Sequence, residues 1–98
     1  MTGNVITEVH LERYLSITKR ALEKLKIVAP QRSFGRKLAE DFLVMARSYY
    51  EDALTFRSKG DFVNAFACVN YAHGWLDCGA RLGLFDVRED DQLFTLYE

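Results

Sequence analysis

The sequence predicts an all-α fold: an antiparallel up-and-down three-helix bundle followed by an apolar C-terminal tail. Three observations carry that expectation. Apolar residues recur at the period of an amphipathic helix through three successive stretches. Ala29-Pro30-Gln31-Arg32-Ser33 and Gly60-Asp61 punctuate the chain between them. The 98 residues include only one proline and six glycines, which argues against a β-rich or disordered chain. This length is that of a single domain, and such a domain buries roughly 65% of its unfolded surface without help from metal or disulfides.

The first helix is expected over about 7–28. Thr7 is a suitable N-cap, and Leu11, Tyr14, Thr18, Ala21, Leu25 and Val28 fall on one stripe, widened by Leu15 and Leu22. Pro30 drives Ala29 out of the helical region and ends it. Ser33 then caps a second helix over about 33–59, with Leu38, Phe42, Met45, Ala46, Tyr49, Ala53 and Phe56 as its apolar stripe. Gly60 suits the position just past a helix end, and Asp61 caps a third helix over about 62–83. A connection this short makes the second and third helices antiparallel neighbours.

The third helix organises the rest. Phe62, Phe66, Val69, His73, Leu76 and Ala80 form its core stripe, and Ala65, Cys68, Ala72, Gly79 and Gly83 form an adjoining face of small residues that admits a close backbone. Its back carries Tyr71, Trp75, Cys78 and Leu82, so the helix is apolar nearly all round and is expected to be covered nearly all round. The tail, 84–98, holds Leu84, Phe85, Val87, Leu93, Phe94, Leu96 and Tyr97. Large side chains are each worth about 1.5–3 kcal/mol when fully buried. The two surfaces are therefore expected to meet, within one chain or between two.

The run VNAFACVNYAHGWLDCGARLGLFD, with Ala39, Tyr49 and Gly60-Asp61 upstream, resembles an archaeal family of small proteins catalogued as domain of unknown function three-five-seven. The resemblance is sharpest in NYAHGWLDCGARLGLFD and covers most of the chain from the end of the first helix. It implies a compact three-helix bundle in a cytoplasmic archaeal protein, and it implies no activity.

Composition narrows the function further. The formal charge of −1 lacks the basic footprint of a general nucleic-acid binder. Residues 1–40 hold eight Lys/Arg and four Asp/Glu, and residues 41–98 hold five and ten. This asymmetry lets the halves face each other, or presents a basic patch to an acidic partner. No leader or membrane span is read in the chain, and a cytoplasmic location is expected. Cys68 and Cys78 lie ten residues apart on one helix, about 15 Å of rise, which is beyond disulfide reach. Free thiols are expected. Cys68, His73 and Cys78 point in divergent directions, so no metal site is expected; no cofactor or catalytic motif is read either.

Two functional readings remain. One is a non-enzymatic interaction module, with a protein partner or a second copy held through Tyr71, Trp75, Leu82, Phe85 and Phe94. The other is a small-ligand-binding or enzymatic protein. His73 and Asp77 share a helix face, Asn70 and Arg81 flank them, and hairpin counting brings Tyr50 and Arg47 to nearby levels. A cluster of Arg47, Tyr50, Asn70, His73 and Asp77 can bind an anion or a small polar molecule, or move a proton through His73. The reading that the sequence favours is a set of hydrogen-bonded packing groups, His73 satisfied by Asp77 or a tyrosine and Asp77 paired with Arg81.

Overall fold

The computed structural model describes residues 7–86. It comprises α1 (Glu8–Lys24), β1 (Lys26–Ile27), α2 (Phe34–Ser58), α3 (Phe62–Arg81) and β2 (Phe85–Asp86). Each helix begins at a side-chain cap. Thr7 accepts from the His10 amide at 3.1 Å, Ser33 from the Arg36 amide at 3.0 Å and Asp61 from the Asn64 amide at 3.2 Å. Gly60 and Gly83 adopt φ values of 76° and 77°, the left-handed conformation that costs glycine least. At each, the glycine's own amide and the one after it turn back on the helix. Gly60 N donates to Arg57 O and Asp61 N to Phe56 O; Gly83 N donates to Ala80 O and Leu84 N to Gly79 O. This double closure is the Schellman pattern. Asp61 thus closes α2 and caps α3 with no residue between the two roles.

The α2–α3 hairpin is the most extensive interface. Ala39, Ala46 and Ala53 recur every seven residues on α2 and are fully buried. Ala65, Ala72 and Gly79 recur at the same interval on α3 and are buried as well. The hairpin sets them in antiparallel register, Ala53 level with Ala65, Ala46 with Ala72 and Ala39 with Gly79. Small residues at facing positions let the two backbones approach. The first helix covers one side of this hairpin. Leu11 and Leu15 pack with Ala53, Ala65 and Val69, while Ala21 joins Ala39, Phe42, Ala46, Leu76 and Phe85.

The first helix is shorter than its apolar stripe suggests. Leu25 is already extended, with ψ 153°, and the chain forms an antiparallel pair with Lys26 opposite Asp86 and Ile27 opposite Phe85. Val28 N adds a bond to Leu84 O at 3.0 Å. Ile27 and Val28 are β-branched and suit a strand, but the partner strand lies almost sixty residues on. The pairing closes one end of the bundle and seats Phe85 at 4% exposure in the core. Phe85 is therefore a core residue rather than an interface residue. Phe94 and the rest of 87–98 lie outside the described residues.

Candidate functional site

The five polar residues singled out in the sequence do not gather at one site. His73 lies between α3 and α1. Its Nδ1 is 3.2 Å from Thr18 Oγ1, and its Nε2 is 3.5 Å from Asp77 Oδ1. The His73 and Asp77 side chains are 21% and 22% exposed. Hydroxyl, imidazole and carboxylate stand in the order used by nucleophilic hydrolases. Here, however, Thr18 is 1% exposed, so a substrate cannot approach its hydroxyl unless the helices part. The arrangement does satisfy two polar groups placed in apolar stripes, which would otherwise cost about 1–3 kcal/mol each.

Tyr50 faces α1 at another place. Together with Glu12, Leu15, Ser16, Lys19, Leu54 and Arg57 it lines a depression of about 390 Å³. Arg57 Nη1 crosses this interface to both carboxylate oxygens of Glu12, at 2.7 and 2.8 Å. Burial pushes the Tyr50 phenol above its ordinary range; Arg57 opposes the shift, and Glu23 and Glu12 add to it. Arg47 is exposed on α2. Asn70 is exposed on α3 and borders a third region, on the far side of the hairpin from α1.

That region is an open groove of about 550 Å³, lined by Tyr49, Ala67, Asn70, Tyr71, Gly74 and Trp75. Tyr49 stacks on Tyr71 with ring centres 5.3 Å apart and planes at 22°. The Trp75 ring meets Phe42 edge-on at 5.1 Å, which fixes the indole between core and groove. Tyr71 is 64% exposed and Leu82 57%; Cys78 is also exposed. A Cβ added at Gly74 would meet nothing within 4 Å. The back of α3 is thus open among the described residues; the tail expected to cover it lies mostly in 87–98, outside them. Tyr71, Trp75 and Leu82 all lie on this open side. Tyr49, Ala67 and Gly74 belong to the groove as well, and the sequence reading did not assign them to a site. The available signal was the pair Ala67 and Gly74, two small residues seven apart and beside Tyr71.

The thiols are free. Burial raises the Cys68 thiol pKa first, and the Asp52 carboxylate raises it further. Among the described residues no group of three or more His, Cys, Asp and Glu side chains is arranged to hold a metal ion. None of the described helices is long and apolar enough to cross a membrane.

A sequence profile described as "Protein of unknown function (DUF357)" matches residues 13–85. The match spans the groove, the His73 contacts and the strand residue Phe85. No curated protein and no solved structure matches the chain.

Proposed function

We propose that this chain, which belongs to the DUF357 family of proteins of unknown function, is a non-enzymatic docking module that receives a protein partner in the groove between α2 and α3. The observation that carries the reading is the groove itself, an open trough walled by Tyr49, Tyr71 and Trp75. Tryptophan and tyrosine dominate binding energy at protein interfaces when a partner removes them from water. They also lose little conformational freedom, and here Trp75 and Tyr71 are already held by Phe42 and Tyr49. Exposed apolar surface of this kind marks interaction sites. The opposite side of the hairpin is closed by α1, so the groove is the side on which a further element can add.

Gly74 supplies the test. A large side chain there enters open space, so Gly74→Phe plugs the trough and spares the core. Proteins captured from native cell extract by the full chain should include one that the Gly74→Phe chain fails to retain. Identical capture by both chains, with melting unchanged, would refute the reading.

A further inference from the structure

We infer that the depression between α1 and α2 is a binding site for a small organic monoanion, a carboxylate on a short aliphatic body. The inference is independent of the α2–α3 groove. The first helix lies chiefly against α3 and only lightly against α2. This leaves a seam of about 390 Å³ between α1 and α2, a volume within the range of small-molecule sites. Glu12, Ser16 and Lys19 line it from α1, and Tyr50, Leu54 and Arg57 line it from α2. Each set follows the spacing i, i+4 and i+7, so each presents one helix face. The two helices are antiparallel, since Leu11 and Leu15 pack with Ala53 and Ala21 packs with Ala39. The contact between Glu12 and Arg57 then sets Ser16 level with Leu54 and Lys19 level with Tyr50.

The walls select the ligand by charge. Lys19 and Arg57 bring two positive charges and Glu12 one negative, so the lining is left with one net positive charge. Glu12 occupies only Nη1 of Arg57, and the other guanidinium N–H groups can serve a second acceptor. Among the described residues, none forms a hydrogen bond or ion pair with Ser16 Oγ, Lys19 Nζ or the Tyr50 hydroxyl. Burial pushes the Tyr50 phenol above its ordinary range, so at neutral pH the phenol keeps its proton and can donate it. Guanidinium, ammonium and two hydroxyls thus offer donors in excess of acceptors, the complement of an anion. Leu15, 3% exposed, and Leu54 supply an apolar floor for the aliphatic part.

Other charges fit less well. An organic cation would face Lys19 and Arg57. A dianion such as phosphate exceeds the single net charge and is opposed by Glu12. Glu23 lies outside the lining but close enough to act on Tyr50, and it opposes a second negative charge further. A carboxylate matches the net charge, and its two oxygens match the planar edge of a guanidinium.

Sodium hexanoate is the probe, with hexylammonium chloride and sodium phosphate as comparisons at fixed ionic strength. Methyl and ring signals of the full chain are followed by NMR near neutral pH. Hexanoate should shift the Leu15 and Leu54 methyls and the Tyr50 ring saturably, hexylammonium should leave them unmoved, and phosphate should bind more weakly than hexanoate. Lys19→Gln, at an exposed position, should weaken hexanoate at least about threefold, the effect of losing one exposed charge pair. Glu12→Gln removes the competing carboxylate and should tighten hexanoate by a similar factor. A purely structural role for the Glu12–Arg57 contact would not produce that gain. Lys37→Gln removes an exposed cation of α2 outside the lining and should change nothing. Absence of saturable shifts at these residues, an equal response to hexylammonium, or phosphate bound as tightly as hexanoate would overturn the inference. So would unchanged affinity in Lys19→Gln, weaker binding in Glu12→Gln, or shifts centred on Tyr71 and Trp75, which would reduce hexanoate to an apolar chain resting in the other groove.

Discussion

Two glycines five residues apart in α3 are expected to respond to the same substitution with opposite signs. In a helix interior, alanine is favoured over glycine by about 0.8–1 kcal/mol. At Gly74 the added methyl meets nothing within 4 Å, so Gly74→Ala should realise that gain nearly in full. For a domain of this size, the melting temperature then rises by about 4–8 °C. At Gly79 the added methyl would overlap the Phe85 ring, 2.6 Å from Cδ2, 3.0 Å from Cζ and closer still to Cε2. Phe85 is 4% exposed and tied to Ile27 through the strand pair, so the ring cannot swing aside without opening the end of the bundle. Overpacking costs about 1–3 kcal/mol, and complete expulsion of a buried phenylalanine about 3–5 kcal/mol. After the propensity gain is subtracted, Gly79→Ala should destabilise by about 1–3 kcal/mol. Urea unfolding followed by circular dichroism measures both variants. Adding Phe85→Leu to Gly79→Ala should recover part of the loss, because the ring is the obstacle. Stabilisation by both alanines, or no coupling between positions 79 and 85, would refute the packing described for the end of the bundle.

Other expectations follow from single features. Gly60→Val forces a β-branched residue into positive φ and should cost about 1 kcal/mol or more in urea unfolding. Glu12→Gln should weaken the contact from Arg57 Nη1 to the two carboxylate oxygens, but both side chains are partly exposed, so the loss should stay below about 1 kcal/mol. Because burial raises the Tyr50 pKa, the unfolded chain ionises first as pH climbs past about 10. The stability linked to this phenol is present below that pH and is lost above it, and Tyr50→Phe should flatten the decline seen in alkaline unfolding curves. A thiol reagent should modify exposed Cys78 well before Cys68, which is half-buried and whose pKa is raised; equal rates would contradict the placement of the two residues.

Local sequence was informative wherever the determining interactions are local. The caps at Thr7, Ser33 and Asp61 and the glycine at 60 act within a few residues, and each could be read directly. The small face of α3 announced a close neighbour because only short side chains allow one. The strand pair was not legible, since Ile27 meets Phe85 across nearly the whole chain and both segments are two residues long. The apolar stripe of the first helix therefore ran on to Val28 in the sequence and stopped at Lys24 in the structure. The His73–Asp77 pair was legible from its spacing, but the gathering of all five polar residues was not, for a geometric reason. Counting back from a hairpin gives the level of a residue along the axis, not the side of the helix it occupies. Tyr50 and Asn70 share a level but face opposite sides of the α2–α3 pair. Thr18 was within reach: it was the polar residue in the stripe of the first helix, as His73 was in that of the third, and each satisfies the other.

The central claim is that the groove, not the His73 contacts, is where this protein engages its partner. Amide chemical-shift mapping of the full chain on addition of the captured partner tests it most directly. The account predicts shifts concentrated at Tyr49, Ala67, Asn70, Tyr71, Gly74 and Trp75. Shifts centred instead on Thr18, His73 and Asp77, with the groove unmoved, would contradict it.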